Sequence, residues 1–136
     1  MVKYDFEVKD GYSLFPEHLE NDDLVFFHGS PMKNFKSICQ NGFKSGSELR
    51  ISSLTSVTYT MKSIGAFNHV CSIRQSGEDM VVFAVFFKKE DLERHLDVQK
   101  RVPIVVREYA EIKVYDSDIQ PSRIGYSIVP AHYRHK

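Results

Sequence analysis

The sequence predicts an α+β fold in which short strands outnumber a few short helices. Residues 24–28 and 80–87 are apolar runs rich in strand-forming residues. Turn-forming residues such as Asn41-Gly42 separate these runs from shorter stretches with helical spacing. The 136 residues contain no visible repeat or linker, so they suit one domain over 1–136 with one core. Strands and helices mixed in this way define the α+β class.

The first strand and the helix after it form the clearest local pattern. The run 24–28, Leu-Val-Phe-Phe-His, predicts a buried strand. Ser30 is a good N-cap, and Pro31 fits the first helical position because its missing N–H costs nothing there. Apolar residues then recur at helical spacing until Gly42. We therefore expect a helix over 31–41, directly after the strand.

The middle of the chain continues with further elements of both kinds. Residues 54–60 are β-prone and predict a strand, and 63–71 predict a helix that Gly65 weakens. The run 80–87 is apolar at every position, which is typical of a central strand buried on both faces. The charged stretch 88–96 has leucines four residues apart and predicts a short surface helix.

The last third of the chain predicts strands within 104–115 and at 128–130, the second at an edge of the sheet. Because side chains alternate along a strand, Ala110, Ile112 and Val114 share one face, which we assign to the core. The opposite face is expected to line a cleft and carries Tyr109, Glu111, Lys113 and Tyr115.

Charge and cysteine content narrow the class of protein. Lys plus Arg and Asp plus Glu each total 18, so the formal charge is zero, whereas nucleic-acid-binding domains usually carry a basic excess. Cys39 and Cys71 form no CxxC pair and indicate core residues rather than a disulfide framework or a zinc site. No apolar segment suits a signal peptide or a membrane span. We therefore expect a cytoplasmic protein with no metal and no membrane partner.

The segment His28-Gly29-Ser30, at the end of the first predicted strand, is the first candidate site. Glycine lets a ligand approach the backbone closely, and Gly29 can offer its N–H and C=O to an amide as an antiparallel partner would. His28 can hydrogen-bond a ribose hydroxyl. The residue types alone favour the alternative, a strand-end histidine beside a turn glycine. No P-loop or GxGxxG motif is present, so a nucleotide site here would be of another kind.

Glu111 is the second candidate because a carboxylate is unfavourable in an otherwise apolar strand. A carboxylate can stabilise the oxocarbenium-like state through which a glycosidic bond breaks. The alternative is that its face of the strand is simply exposed to water. Glu108, three residues earlier, competes for the same role or shares it.

Tyr59, near the end of the predicted strand 54–60, is the third candidate. An aromatic ring at a strand end can stack on a flat ligand ring, whereas in isolation a half-buried core tyrosine is the more common finding. Arg50 and Arg74 are candidates for contacting a pyrophosphate, on charge alone.

Together these stretches resemble the ADP-ribosyltransferases of the His–Tyr–Glu kind, a superfamily that includes the poly-ADP-ribose polymerases and the diphtheria-toxin group. Residues 27–43 resemble its first strand and helix, with His-Gly-Ser at the start and Asn-Gly-Phe at the end. Residues 107–114, Arg-Glu-Tyr-Ala-Glu-Ile-Lys-Val, are similar to the late strand of DarT-type DNA ADP-ribosyltransferases. The proline-containing segment that follows the glutamate there would be 118–121 here. Tyr59 followed by a helix is a looser match.

The resemblance implies a compact split β-sheet core with a few short helices, and NAD as co-substrate. It implies that His28 holds the ribose of the adenosine half and that the Gly29 backbone clamps the nicotinamide amide. Tyr59 would stack on nicotinamide, and Glu111 would bind the other ribose and stabilise the cation left as nicotinamide departs. The expected catalytic residues are His28, Tyr59 and Glu111, and the expected NAD-binding residues are His28, Gly29, Ser30, Tyr59 and Arg50.

The expected activity is NAD-dependent mono-ADP-ribosyl transfer to a macromolecular acceptor, either nucleic acid or protein, as in a toxin, defence or phage effector. One alternative keeps the chemistry but uses water as the acceptor, which makes the protein an NAD glycohydrolase. The other is a catalytically inactive module that binds NAD or ADP-ribose. An RNA 2′-phosphotransferase would need several basic phosphate ligands that we cannot assemble from this sequence.

Overall fold

The strands of the described residues pair into one mixed sheet of seven. The computed structural model describes residues 1–9, 13–45, 57–75, 77–98, 111–114 and 119–133, with the backbone alone for 93–98 and Glu111. The strands are β1 Val2–Tyr4, β2 Val25–Pro31, β3 Val57–Thr60, β4 Met80–Phe86, β5 Leu96–Val98, β6 Glu111–Val114 and β7 Ser122–Val129. The helices of these ranges are α1 Glu17–Glu20, α2 Phe35–Asn41, α3 Ser63–Ile73 and α4 Lys89–His95. The predicted α+β class is confirmed.

The order of the strands across the sheet differs from their order in the chain. It is β1-β7-β4-β2-β3-β6-β5. Strand β1 runs parallel to β7, and the other neighbouring strands are antiparallel. Strands β2, β3 and β6, which carry the three candidate residues, are therefore neighbours although they are far apart in the chain.

Each face of the sheet carries its own apolar layer. The layer on the α3 side contains Leu14, Phe15, Leu19, Val25, Phe27, Ala66, Phe67, Val70, Met80, Val82, Ala84 and Val129. The layer on the α2 side contains Phe26, Ile38, Phe43, Val57, Tyr59, Val81, Phe83, Val85, Phe87, Ile112 and Val114. Successive residues of β4 alternate between the two layers, so the prediction of a central strand buried on both faces is confirmed.

The helix after β2 begins later than the sequence predicts. Strand β2 continues through Pro31, because the Met32 N–H still donates to the Asp79 carbonyl of β4 at 2.9 Å. A short 3-10 turn, Met32–Asn34, follows, and α2 begins at Phe35. The predicted N-cap at Ser30 is wrong, since pairing with β4 already uses this part of the backbone.

Strand β7 is the second correction. Its predicted segment, 128–130, was expected at a sheet edge, but β7 lies between β1 and β4. The segment Val2–Tyr4, for which no strand was predicted, pairs with the outer side of β7. The helices predicted over 63–71 and 88–96 are confirmed as α3 and α4, whereas most of the region predicted as strand over 104–115 lies outside the described residues.

Candidate functional site at a split between strands

The backbone N–H and C=O groups of successive residues of β2 point alternately toward β4 and toward β3. In an antiparallel pair, the N–H and C=O of alternate residues point toward the same partner strand. The Met32 N–H donates to Asp79 O at 2.9 Å, and the Phe87 N–H donates to Leu24 O at 3.0 Å, at the two ends of an unbroken register. Even-numbered residues of β2 therefore bond to β4. The N–H and C=O of the odd-numbered Gly29 point the other way, toward β3.

On the β3 side, pairing stops after one residue pair. Phe27 pairs with Thr60, and a continued ladder would place Gly29 opposite Thr58. Instead, the Thr58 carbonyl accepts a hydrogen bond from His28 Nδ1 at 2.9 Å. Within the part of the chain that the structure describes, Gly29 has no strand partner on this side. We call this place, where Gly29 of β2 and Thr58 of β3 are not paired, the split.

Helix α3 packs so closely behind Gly29 that no side chain fits there. A Cβ built at this position would lie 2.4 Å from Val70 Cγ1 and 2.9 Å from the carbonyl oxygen of Ala66. Both distances are shorter than van der Waals contact, and the second is to backbone that cannot turn away. The glycine is thus required by packing and not by a turn, although the sequence suggested a turn glycine as one reading of this position.

The imidazole of His28 is half-buried on the α2 side of the sheet. Its ring lies 4.8 Å from that of Phe43 and 5.5 Å from that of Tyr59, centroid to centroid. Loss of solvent around it lowers the pKa of His28 from 6.5 to about 4, and the positive charge of His69 acts in the same direction; the hydrogen bond to Thr58 opposes both. The imidazole is therefore neutral at neutral pH.

The hydrogen bond to Thr58 also fixes which nitrogen of His28 carries the proton. A carbonyl oxygen can only accept, so Nδ1 must be the protonated nitrogen of the neutral ring. Nε2 is then the unprotonated nitrogen, and it can accept a hydrogen bond from a hydroxyl group. The sequence predicted a histidine able to bind a hydroxyl, and the tertiary structure assigns the atom.

Tyr59 lies in the core beside His28, on the adjacent strand β3. It is 1% exposed, and its ring contacts those of His28, Phe43 and Phe87 with centroids 5.0 to 5.5 Å away. Burial raises the pKa of its hydroxyl well above the usual range. A surface on which nicotinamide stacks must be exposed, and this ring is not. Tyr59 can therefore act on the site only through His28. Of the two interpretations of this residue, the structure supports a tyrosine of the core.

Strand β6 places Glu111 two strands from β2. Glu111 pairs with Thr60, which pairs in turn with Phe27, so these positions form the last cross-strand row before the split. Two strand spacings amount to about 10 Å. Ile112 and Val114 are buried in the layer on the α2 side, which confirms their predicted core face. In the backbone register, position 111 lies in the same cross-strand row as Phe27. The side chain of Glu111 lies outside the described part of the chain.

The structure does not support Ser30 or Arg74 as ligand contacts, and it does not describe Arg50. Ser30 is 6% exposed, its hydroxyl accepts from Asn34 Nδ2 at 3.3 Å, and its backbone pairs with β4, so it has no atom directed at the split. Arg74 donates to the carbonyls of Pro130, at 3.0 Å, and Tyr133, and thereby holds the C-terminal segment on the end of α3. Arg50 lies outside the described residues.

The structure adds two residues that sequence reasoning missed. Thr58 contributes a backbone carbonyl, which leaves no signal in the sequence. Gln120 hydrogen-bonds the backbone of Phe43, the ring neighbour of His28. The two residues are 77 positions apart, so only a tertiary structure could bring them together.

The described residues contain neither a group of metal-binding side chains nor a membrane-spanning helix. Among the described residues, no group of three or more His, Cys, Asp or Glu side chains could hold a metal ion. No helix in the same part of the chain is long and apolar enough to cross a membrane. Comparison with protein-family models, with curated proteins and with solved structures found no match.

Proposed function

We propose that this chain binds NAD at the split, cleaves the bond between nicotinamide and ribose, and transfers ADP-ribose to a macromolecular acceptor. One observation supports the proposal: the N–H and C=O of Gly29 both point toward β3, where the strand pairing has already ended. A carboxamide carries one acceptor oxygen and a donor N–H₂, which match this pair of backbone groups. The nicotinamide amide would occupy the place of the absent strand partner.

His28 supports the proposal from the α2 side of the sheet. Its Nδ1 is held by Thr58, and its unprotonated Nε2 suits an uncharged hydroxyl donor. A ribose of NAD supplies such a hydroxyl. The neutral state that burial imposes keeps this acceptor available at neutral pH. In this proposal Tyr59 supports the His28 ring from below and does not stack on nicotinamide.

In the chemical step, Glu111 supplies the carboxylate that stabilises the cation. The bond from the ribose anomeric carbon to the pyridinium nitrogen breaks, and nicotinamide leaves as a neutral molecule with the bonding electron pair. A carboxylate stabilises the oxocarbenium-like cation that remains, until the acceptor's nucleophile adds to it and loses a proton. The backbone of Glu111 lies in the cross-strand row that precedes the split, on the second strand from β2.

The acceptor is the least constrained part of the proposal. The formal charge of zero gives no general attraction to nucleic acid, so recognition of DNA or RNA would have to be local. A protein acceptor is the other macromolecular possibility, and water as acceptor makes the chain an NAD glycohydrolase. These outcomes differ in the product and not in the first bond that breaks, so one assay of nicotinamide release serves all of them.

The test is nicotinamide release from NAD by the wild type and by Glu111→Gln, with Glu108→Gln as the matched control. We expect Glu111→Gln to lose about a hundredfold or more in rate, since such charge-stabilising groups contribute that much. Glu108→Gln should stay within a fewfold of the wild type. Equal rates for the wild type and Glu111→Gln would contradict the role of Glu111. Similar losses in both glutamine variants would mean that the two carboxylates share it.

Two accompanying measurements separate the alternatives. Mass spectrometry of DNA, RNA and protein acceptors incubated with NAD distinguishes transfer, which adds ADP-ribose to one of them, from hydrolysis, which leaves them unmodified. Calorimetric titration with NAD identifies a catalytically inactive module, which would bind NAD without releasing nicotinamide. If the wild type neither binds NAD nor releases nicotinamide, the proposed function is wrong.

A further inference from the structure

We propose that Gln120 is a positioning residue for the site: it fixes Phe43, whose ring in turn sets the orientation of the His28 imidazole. The consequence for NAD rests on the proposed function, whereas the effect on His28 does not. The residues involved come from three separate parts of the chain, the middle of β2, the turn after α2 and the segment before β7.

The carboxamide of Gln120 binds the backbone of Phe43 at both ends. The Phe43 N–H donates to Gln120 Oε1 at 2.8 Å, and Gln120 Nε2 donates to the Phe43 carbonyl at 2.8 Å. Paired bonds of this kind define the orientation as well as the distance. The Gln120 amide thus makes with Phe43, which follows α2, the two hydrogen bonds that a residue of a paired strand would make.

Gly42 makes this close approach possible. Its φ of 79° lies in the left-handed region, which favours glycine. A Cβ at this position would also lie 2.5 Å from Gln120 Oε1 and 2.8 Å from the amide carbon beside it. Backbone conformation therefore requires the glycine that ends α2, and a side chain in its place would displace the Gln120 amide from Phe43.

Phe43 transmits this arrangement to the site. Its ring is 1% exposed and lies 4.8 Å from the ring of His28 and 5.5 Å from that of Tyr59, while Tyr59 and His28 are themselves 5.5 Å apart. The three rings are thus mutually in contact. Since Thr58 holds Nδ1, the contact with Phe43 decides the remaining tilt of the imidazole, and with it the direction of Nε2.

The position of Gln120 makes the proposal testable without damage to the core. Gln120 is an exposed residue, although its amide reaches the backbone of the buried Phe43. Replacement by Met keeps the length of the side chain and removes both hydrogen bonds. Gln40, on α2, is likewise exposed and provides the matched control, Gln40→Met.

Two readouts are compared across the wild type, Gln120→Met and Gln40→Met. The first is the NMR signals of the His28 ring, assigned by their loss in His28→Asn. The second is the Kd for NAD by calorimetry. We expect the His28 signals to move in Gln120→Met alone, and the Kd to rise about tenfold, the size expected when one or two hydrogen bonds that hold a site are lost. If Gln120→Met fails to fold, Gln120→Glu, which keeps the acceptor for the Phe43 N–H, takes its place.

Each outcome decides one of the two claims. Unchanged His28 signals in a folded Gln120 variant would overturn the positioning role, whatever happens to NAD. Moved signals with an unchanged Kd would overturn the link from His28 orientation to NAD binding. If the wild type itself binds no NAD, the proposed function fails, while the NMR comparison still supports or refutes the role of Gln120.

Discussion

The two edges of strand β2 carry the same backbone groups but differ in how many of them are paired. Toward β4, every residue from Val25 to Pro31 is in register with a partner. Toward β3, only Phe27 is. Backbone N–H and C=O groups require partners of some kind, so an edge left unpaired in the middle of a sheet is costly unless a side chain, water or a ligand satisfies it. The fully paired edge contributes to stability, and the half-paired edge is where we propose that NAD binds.

The side chain of His28 takes the place of a backbone partner for the Thr58 carbonyl. In a continued ladder the Thr58 carbonyl would accept from the backbone of Gly29, and here it accepts from the imidazole. The side chain thus satisfies β3 and leaves the Gly29 backbone directed at the split. A side chain that bonds the backbone of the neighbouring strand can thus replace a ladder hydrogen bond. The following predictions test whether the unpaired backbone of Gly29 holds NAD.

Gly29→Ala should produce the largest effect on the split. Because the new methyl group would overlap Val70 Cγ1 and the Ala66 carbonyl, α3 must move or β2 must shift. We expect a loss of about 1–3 kcal/mol in the free energy of unfolding, and NAD affinity too weak to measure. Chemical denaturation and calorimetric titration with NAD provide the two measurements.

Gly125→Ala is the matched control for that substitution. Its Cβ would approach the far end of the Tyr4 ring at 2.6 Å, near the outer edge of the sheet and away from the split. It is expected to cost stability without changing NAD affinity in the folded protein. Equal NAD affinity in wild type and Gly29→Ala would show that the Gly29 backbone does not hold the ligand.

The stability of the fold should depend on the protonation of His28. Its pKa falls from 6.5 to about 4 on folding, so the unfolded chain binds the proton more readily. The stabilisation is fully present above pH 6.5 and is lost as the pH falls through 4. For a half-buried ring we expect about 2 kcal/mol over this range.

Urea unfolding at pH 7 and pH 4.5, in wild type and His28→Asn, isolates this contribution. Acidic side chains titrate in the same range, but they do so in both proteins, whereas asparagine does not titrate. The wild type should lose more stability on acidification than the variant. An equal loss in both would mean that His28 has an ordinary pKa in the folded state.

His28→Asn should also sharpen the assignment of the two ring nitrogens, with the smallest effect. The asparagine amide nitrogen can take the place of Nδ1 and donate to Thr58, but nothing replaces Nε2. We expect the protein to stay folded at pH 7 and the Kd for NAD to rise about tenfold, the cost of roughly one hydrogen bond. His69→Asn, an exposed histidine on α3, is the control and should leave the Kd within about twofold. An unchanged Kd in His28→Asn would exclude Nε2 as a ligand group.

Local patterns in the sequence were enough to determine several parts of this protein. The apolar run in β4 determined a strand buried on both faces, and the alternation in β6 determined that Ile112 and Val114 face the core. The pair His28-Gly29 was recognisable as a candidate site, but its predicted place at the end of a strand is wrong, because β2 continues through Pro31. These are properties of neighbouring residues, and the chain's own periodicity expresses them.

Only the tertiary structure decided that β2, β3 and β6 are neighbours and that pairing between β2 and β3 ends at Phe27. It also decided that α3 packs behind Gly29 and that Tyr59 is covered by other rings. Each depends on which distant segments pack together, and periodicity within one segment carries no such information. The register between strands, and hence the split, follows from the packing of the whole sheet.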